Sequence, residues 1–483
     1  MKFSIRNLFL IILFCGILFL SLRPILDPDF WWHLRTGQII DQTRMIPRAD
    51  PFSFTAASKQ WVAHEWLSEY FIFKTFKLGG PGLLIFTFSI VITASFLFSY
   101  FRCLKGSKPY LAGLAVILGA IASAPIWGVR PQMFTLLFTS LFLFLLDRYK
   151  RNGNFRMLIL IPFITVLWVN LHAGYIIGIA IEVIYIFGSL LEIASKKYHR
   201  KEKIDKTTQN SFWVLVCVLI TSIIATLLNP TGFRIFTYPF QTLTDSAMQT
   251  YIQEWFSPDF HQLIWQPFAF LILVLIGLGM IGNRPISLTK ILLTLVFGYG
   301  ALRSLRNIPL FAIVVIPVLA EQLTNLIKFK PDEQKQSRHF RYIAPIAISA
   351  IAIILVLGFI QVTNNQQRKE AETFPKDAVE WIVVNEPKGN LFNSYNWGGY
   401  LIWKLYPEFP VYIDGRADLY GKEFVSRYTE IYFTKPGWEE KLNRDNVSIV
   451  LVESDSMLAD ALRQSSSWKK FFEDKISVIF LRR

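Results

Sequence analysis

Carboxylates, imidazoles and a guanidinium crowd one stretch of the sequence, residues 23–66 (RPILDPDFWWHLRTGQIIDQTRMIPRADPFSFTAASKQWVAHEW), between two apolar segments. The stretch holds Asp27, Asp29, His33, Arg35, Asp50, His64 and Glu65, with Phe30, Trp31, Trp32, Phe52, Phe54 and Trp61 set among them. A plain connector between membrane spans needs none of this mixture. Carboxylates placed just after a spanning segment and backed by aromatic rings can bind a charged headgroup whose tail stays in the bilayer. Carboxylate and imidazole also supply general acid and base. A divalent metal site is a competing reading: carboxylate oxygens suit Mg2+ or Mn2+, and Asp29, His64 and Glu65 are its candidate ligands. Against it, Pro28 favours an extended turn that splays Asp27 from Asp29.

The elements that must position these groups are read from composition. Of 483 residues, 53% are hydrophobic and 18% charged, against a usual soluble charged share of about 25%. Many apolar runs approach or exceed the ~17 residues needed to cross a bilayer. The fold expected is a polytopic α-helical membrane protein. The net charge of +15 resides in short loops alternating with spans, which points to topology and anionic headgroups, not nucleic acid. Cys15, Cys103 and Cys217 fall in or beside apolar segments, so no disulfide framework is expected.

Hydropathy predicts spans at 8–22, 81–101, 110–129, 133–146, 157–170, 175–194, 211–228, 263–281, 291–304, 308–326 and 342–362, about 11 in all. The first follows Lys2 and Arg6 and lacks a small-x-small cleavage site, so it reads as a retained helix with a cytoplasmic N-terminus in a plasma (inner) membrane. Residues 1–362 then form a transmembrane domain with a large first outer loop, 23–80. Within that loop, 31–42 and 61–76 have the spacing of interfacial helices. The basic inner loops (148–156, 196–206, 283–290 and 328–341) are expected to be flexible.

Residues 363–483 change character. Helix-like runs (377–384, 424–432, 457–464) alternate with β-rich ones (411–414, 447–452, 478–481), which predicts a small extracytoplasmic α/β domain. The outer ends of the spans carry Arg130, Asn170, His172, Asn229, Glu254, Arg303 and Arg306, and four of the six histidines (His33, His64, His172, His261) fall on that face. Each residue alone has a plain explanation, such as a snorkelling arginine or a satisfied helix end. Together they contrast with inner loops of bare Lys and Arg, and an outward-facing site explains the asymmetry. No nucleophile motif of the Ser/His/Asp kind and no Gly-rich phosphate loop is present. Glu182 is the clearest mid-span carboxylate, thin support for a transporter.

Asp27-Pro28-Asp29-Phe30-Trp31-Trp32-His33 resembles the acidic first-loop motif of the GT-C superfamily, integral-membrane glycosyltransferases that use polyprenyl-phosphate sugar donors. The segment is similar to the DPWFNYR-type text of oligosaccharyltransferase catalytic subunits and, more distantly, the plan is similar to protein O-mannosyltransferases. Tyr395-Asn396-Trp397-Gly398-Gly399-Tyr400 resembles their WWDYG segment, but glycines stand where that motif has its aspartate, so sequon recognition does not carry over. The DPDxWWHL start, the HEWL element and the terminal DGR segment resemble uncharacterised bacterial GT-C-like proteins. The resemblance implies Asp29, then Asp27, as catalytic carboxylate, and Arg130, Arg303 and Arg306 as holders of the leaving phosphate. His33, His64, Glu65, His172 and Glu254 are further site candidates. Trp397, Tyr400, Asp414, Arg416 and Asp418 are candidates to touch an unknown glycan, lipid or protein acceptor; equally, Asp414 and Arg416 pair at a strand end. Alternatives to the enzyme are a flippase or transporter of polyprenyl-linked lipids, or an assembly protein with an outer binding domain.

Overall fold

The computed structural model describes residues 4–104, 106–198, 206–244, 249–250, 252–282, 285–327 and 340–483. Of the basic loops expected to be flexible, residues 199–205, 283–284 and 328–339 lie outside these described residues. In chain order the α-helices begin with α1 (Ile5–Ser21), α2 (Phe30–Thr43), α3 (Trp66–Cys103), α4 (Pro109–Ser123), α5 (Gln132–Asn152), α6 (Leu160–Leu171) and α7 (Tyr175–Tyr198). They continue with α8 (Lys206–Thr226), α9 (Tyr238–Thr244), α10 (Gln266–Ile281), α11 (Leu288–Arg303), α12 (Ile308–Leu326) and α13 (Phe340–Thr373). Then follow α14 (Lys376–Asn385), α15 (Gly398–Leu405), α16 (Ala417–Tyr420), α17 (Lys422–Tyr432), α18 (Trp438–Arg444) and α19 (Met457–Gln464). The strands are β1 (Asn390–Asn393), β2 (Val447–Glu453), β3 (Trp468–Glu473) and β4 (Ser477–Arg482).

The chain divides into two compact units. The first comprises Met1–Arg23, Ile85–Ile235 and Gln253–Gln361. The second comprises Pro24–Leu84, Phe236–Ile252 and Val362–Arg483. The first loop thus clusters with the C-terminal domain, a division that the contiguous split expected at residue 362 does not express.

In the first unit a helix occupies every predicted span. Among the described residues, seven helices are long and apolar enough to cross a membrane. The other predicted spans are shorter helices, such as α1 with 17 residues and α11 with 16, or end in charge, as α5 does at Asp147, Lys150 and Arg151. Helix α12 is apolar all round and buried from Ile308 to Ala320, as a central helix must be. Its neighbour α4 presents Ala112, Gly113, Ala115, Val116, Gly119 and Ala120, and a Cβ on Gly119 would come within 2.8 Å of Ile316. Small residues let the two backbones approach closely where no hydrophobic effect drives helices together. Hydroxyls add interhelical bonds: Ser140 donates to the Ser95 carbonyl at 2.6 Å. The mid-span Glu182 accepts from Ser222 at 2.8 Å.

In the second unit four strands form a mixed sheet in the order β1-β2-β4-β3. Strands β1 and β2 run parallel, while β4 lies antiparallel to both β2 and β3. Val447, Ile449, Val450, Leu451 and Val452 are fully buried, the continuous apolar run expected of a strand covered on both faces. The edge strand β3 carries exposed Lys469 and Lys470, which blunt it against further pairing. The expected helices at 377–384, 424–432 and 457–464 form, as do the strands at 447–452 and 478–481. Residues 411–414 do not form a strand: Val411 makes only isolated bridges to Ser53 and Leu391. The Asn393 side chain takes the next backbone groups, accepting from Tyr412 at 2.9 Å and donating to Ile413 at 2.8 Å.

Helix α2 packs on α15, and each end of that contact has a cause. Arg35 donates to the carbonyls of Ile402, Trp403 and Tyr406, the last at 2.6 Å, so a cation caps the C-terminal end of α15. At the other end, Gly399 admits the Pro28 carbonyl, which a Cβ would meet at 2.4 Å. Gln366 near the end of α13 clamps Ile25 from both sides, accepting its N–H at 2.8 Å and donating to its carbonyl at 3.1 Å. Helix α3 breaks at Gly79 and Gly80 before Pro81; Gly80 has φ 61°, where a glycine costs nothing sterically. We expect Gly399→Ala to destabilise the protein by about 1–3 kcal/mol through overpacking, despite alanine's better helix propensity. Gly277→Ala in α10, where nothing lies within 4 Å, should leave the thermal unfolding midpoint in detergent equal or higher.

Candidate active site

The aspartates of the first loop stand where α2 begins. Asp27 accepts the Asp29 N–H at 2.9 Å, a local side-chain turn that fixes the backbone just ahead of the helix. Asp29 precedes Phe30, yet its side chain makes no capping bond to the helix. Its carboxylate accepts from the Trp32 indole at 3.1 Å instead. Negative charge is favoured there by the unsatisfied N–H groups of the first turn. Both aspartates are half-buried. Gly415 closes against this carboxylate: a Cβ there would lie 1.7 Å from Asp29 Oδ1. The DGR segment can therefore reach Asp29 only with glycine at its centre.

Beside Asp29 runs a buried chain of alternating acids and imidazoles. His33 Nδ1 lies 3.4 Å from Glu69 Oε1 and its Nε2 lies 3.6 Å from Glu65 Oε2. The other Glu65 oxygen meets His64 Nε2 at 3.0 Å. The Trp32 ring lies over His33 with centroids 3.6 Å apart. The Tyr238 ring lies 4.2 Å from that of His64, and its hydroxyl donates to Asp418 at 2.9 Å. Burial pushes the His33 imidazole down, but Glu69, Glu65 and Asp29 outweigh it, so its pKa rises above the ordinary value. His64 rises as well: burial opposes, while Glu65 and Asp418 prevail. Burial and Asp418 drive the Tyr238 phenol well up, keeping it a donor.

A second buried cluster fastens the DGR segment. Arg416 binds Asp414 at 2.6 Å and Asp50 at 2.8 Å, with 2% of its surface exposed. Tyr420 donates to Asp414 at 2.7 Å, and the Trp61 ring centroid lies 4.7 Å from the guanidinium. Burial pushes Asp414 up, yet Arg416 and Tyr420 hold it below the ordinary carboxylate range. Of the two readings given equal standing for Asp414 and Arg416, the structure shows the pair and not the acceptor contact: both are sealed, and they shape the loop that presents Gly415. The acceptor expectation for Trp397 and Tyr400 is corrected. Trp397 donates to the Thr373 carbonyl at 3.1 Å, and Tyr400 stacks on Phe374 at 4.9 Å with Trp31 against it. Asp418 stays half-exposed.

The remaining candidates belong to the helical unit. Arg130 is ion-paired with Glu254, and Arg306 lies 4.8 Å over the Trp255 ring. Burial pushes Glu254 up, but Arg130 and Arg306 bring it below the ordinary range. Arg303 is exposed at the end of α11. His172 is corrected to a structural role: it is buried, and its Nδ1 takes the Gly174 N–H at 2.9 Å and lies 2.8 Å from the Thr135 hydroxyl.

The metal expectation does not fit the side chains as placed. Among the described residues no group of three or more His, Cys, Asp or Glu could hold an ion. Both Glu65 oxygens face imidazoles, and His64 Nδ1 faces the Val62 carbonyl at 3.2 Å, so Asp29, His64 and Glu65 do not converge. The sequence reading left out Glu69 and Tyr238 as site residues, and it named Asp50 in the first-loop stretch without a role. Glu69 follows Glu65 by four positions, a spacing that puts both on one helix face and could have flagged it. Asp50 and Tyr238 carry no local signal.

A histidine raised in the folded state adds stability that is complete below its ordinary value of about 6.5 and is lost as pH climbs through the raised value. His33→Gln should therefore cost on the order of 2 kcal/mol near pH 6 and progressively less toward pH 9. Thermal midpoints of both proteins across that range test this; a penalty independent of pH would contradict it.

No family model matches the sequence, and no curated protein does. Solved structures do match. The Archaeoglobus fulgidus oligosaccharyltransferase AglB, in complex with an inhibitory peptide and a dolichol-phosphate, aligns with TM-score 0.54 and 13% identity over 91% of this chain and 69% of its own. The arabinofuranosyltransferase AftD from Mycobacteria aligns with TM-score 0.52 and 14% identity over 100% of this chain and 42% of its own. At such identities the likeness is one of architecture: the chain has a fold similar to that of these two proteins, and its long apolar helices make it an integral membrane protein.

Proposed function

We propose that the chain transfers a sugar from a polyprenyl-phosphate-linked donor to an acceptor at the face of the membrane that the charge pattern makes extracytoplasmic. The observation that carries this reading is the Asp29 carboxylate, half-buried at the start of α2, uncommitted to helix capping and steadied by the Trp32 indole. The fold supports it, since a solved protein of that architecture holds a dolichol-phosphate. In the step proposed, an acceptor atom bonds to the anomeric carbon as the bond from that carbon to the phosphate oxygen breaks. The acceptor's proton passes to Asp29 and the polyprenyl phosphate leaves with the electron pair. Arg130, Arg303 and Arg306, all in the helical unit, are the cations proposed for a phosphate, whose charge guanidinium groups offset; Arg130 is ion-paired with Glu254. The His33–Glu65–His64 chain holds α2 in place beneath Asp29.

The test is release of polyprenyl phosphate from a panel of polyprenyl-phosphate sugars by the purified protein, with and without acceptor extract. Asp29→Asn keeps an oxygen for the Trp32 indole and should cut release by about 100-fold or more, while donor binding changes little. Equal release by both proteins would remove Asp29 from the chemistry. Donor binding without any release would favour a lipid flippase.

A further inference from the structure

We propose that His33 and His64 are positioning residues, held as imidazolium ions, whose charges keep an anionic donor at Asp29, so that donor affinity falls as the pair loses its protons. This rests on the function proposed above and adds to it a proton-linked control of donor binding. Each ring sits in a setting that suits a cation. Both His33 nitrogens face carboxylate oxygens, Nδ1 toward Glu69 at 3.4 Å and Nε2 toward Glu65 at 3.6 Å. Both His64 nitrogens face oxygens as well, Nε2 toward Glu65 at 3.0 Å and Nδ1 toward the Val62 carbonyl at 3.2 Å. A neutral imidazole would turn a lone pair toward one of its two oxygens, whereas imidazolium turns an N–H toward each. Each ring also lies against an aromatic face, which attracts cations: Trp32 is 3.6 Å from His33 between centroids, and Tyr238 is 4.2 Å from His64.

The groups around the pair come from every neighbouring element. Glu65 and Glu69 stand just before and within the first turn of α3. Asp29 acts on His33 from the start of α2, and Asp418 on α16 acts on His64. Tyr238 on α9 donates its hydroxyl to Asp418 and adds no charge. Arg416, 5.9 Å from the Trp32 ring, is paired with Asp50 and Asp414. Lys404, on the α15 helix packed against α2, lies over the Trp31 and Tyr400 rings. Burial opposes protonation of both imidazoles, and the carboxylates outweigh it. The link to Asp29 is short. His33 follows it by one turn of α2, and the Trp32 ring against His33 is the one that donates to the Asp29 carboxylate. In the step proposed, Asp29 serves the carbon bonded to the donor phosphate, so an anion is brought toward carboxylates. Two imidazolium charges offset that repulsion, and a neutral pair does not.

The full chain, purified in detergent, is titrated with a polyprenyl-phosphate sugar between about pH 6 and about pH 9. That ligand is a phosphodiester, so its own charge stays fixed over the range. The dissociation constant should rise about 10-fold as the pair loses its protons. His64→Gln, at the half-buried end of the chain, should fold; it and His33→Gln should each bind more weakly at the acid end and show a smaller rise. His261→Gln, at an exposed ring paired with Asp259, should titrate as wild type does. Nitrogen NMR of labelled histidine reads the charge directly, with the two variants assigning the signals: both rings should be doubly protonated at about pH 7. Neutral rings at that pH, or a rise that both variants leave unchanged, would overturn the proposal. Absence of binding at any pH overturns it together with the donor reading. A rise that needs both histidines, beside an Asp29→Asn variant that releases polyprenyl phosphate as wild type does, removes Asp29 from the chemistry and leaves the charged pair standing.

Discussion

The buried guanidinium of Arg416 is the constraint around which the C-terminal unit is organised. A charge taken out of water is tolerated only when carboxylates and hydrogen bonds replace its hydration. Here the carboxylates come from distant parts of the chain, Asp50 in the first loop and Asp414 beside Arg416, with Tyr420 completing the set. Neither carboxylate can leave without stranding the arginine. The first loop is therefore bound to the C-terminal domain, and Gly415, between the two partners, is held against Asp29. Arg35 on α15 and Gln366 on Ile25 repeat the pattern, each side chain satisfying backbone groups that would otherwise be orphaned.

This explains why the motifs singled out by sequence behave differently. The glycines of NWGGY and DGR are where backbone meets backbone or carboxylate, so they set distances and do no chemistry. Asp414, Arg416, Trp397 and Tyr400 are the frame. Asp29 and Asp418 keep solvent access, and between them lies the chain of His33, Glu65 and His64. The pairing read for Asp414 and Arg416 as the alternative to a ligand contact is the one that forms, because a small domain pinned to a loop needs buried polar fasteners of its own.

What was legible followed from local physics. Hydropathy runs located the helices of the first unit, since twenty apolar residues admit few alternatives. The 3.6 periodicity of 31–42, 377–384, 424–432 and 457–464 located helices in the second. The strand β1 was missed because four residues with asparagine at each end carry no alternation, and β3 because an edge strand can expose WKKFFE on most positions. Residues 411–414 have strand composition, yet Asn393 and the loop at Phe52 take their hydrogen bonds. The pairing of Asp50 with Arg416, and of Tyr238 with Asp418, spans far too much chain for any local pattern to announce.

The two polar regions of the helical unit also differ in kind. Arg130, Glu254 and Arg306 gather where α11 ends and α12 begins, whereas Arg102, Asp147, Lys290 and Glu321 gather at the start of α11. The central claim, that Asp29 serves a sugar donor, is tested most directly by a structure with a polyprenyl-phosphate sugar analogue bound. The account predicts the anomeric carbon facing Asp29, leaving room for an acceptor atom within about 2.6–3.2 Å of the carboxylate. A sugar seated away from Asp29, with the carboxylate reaching neither donor nor acceptor position, would contradict it.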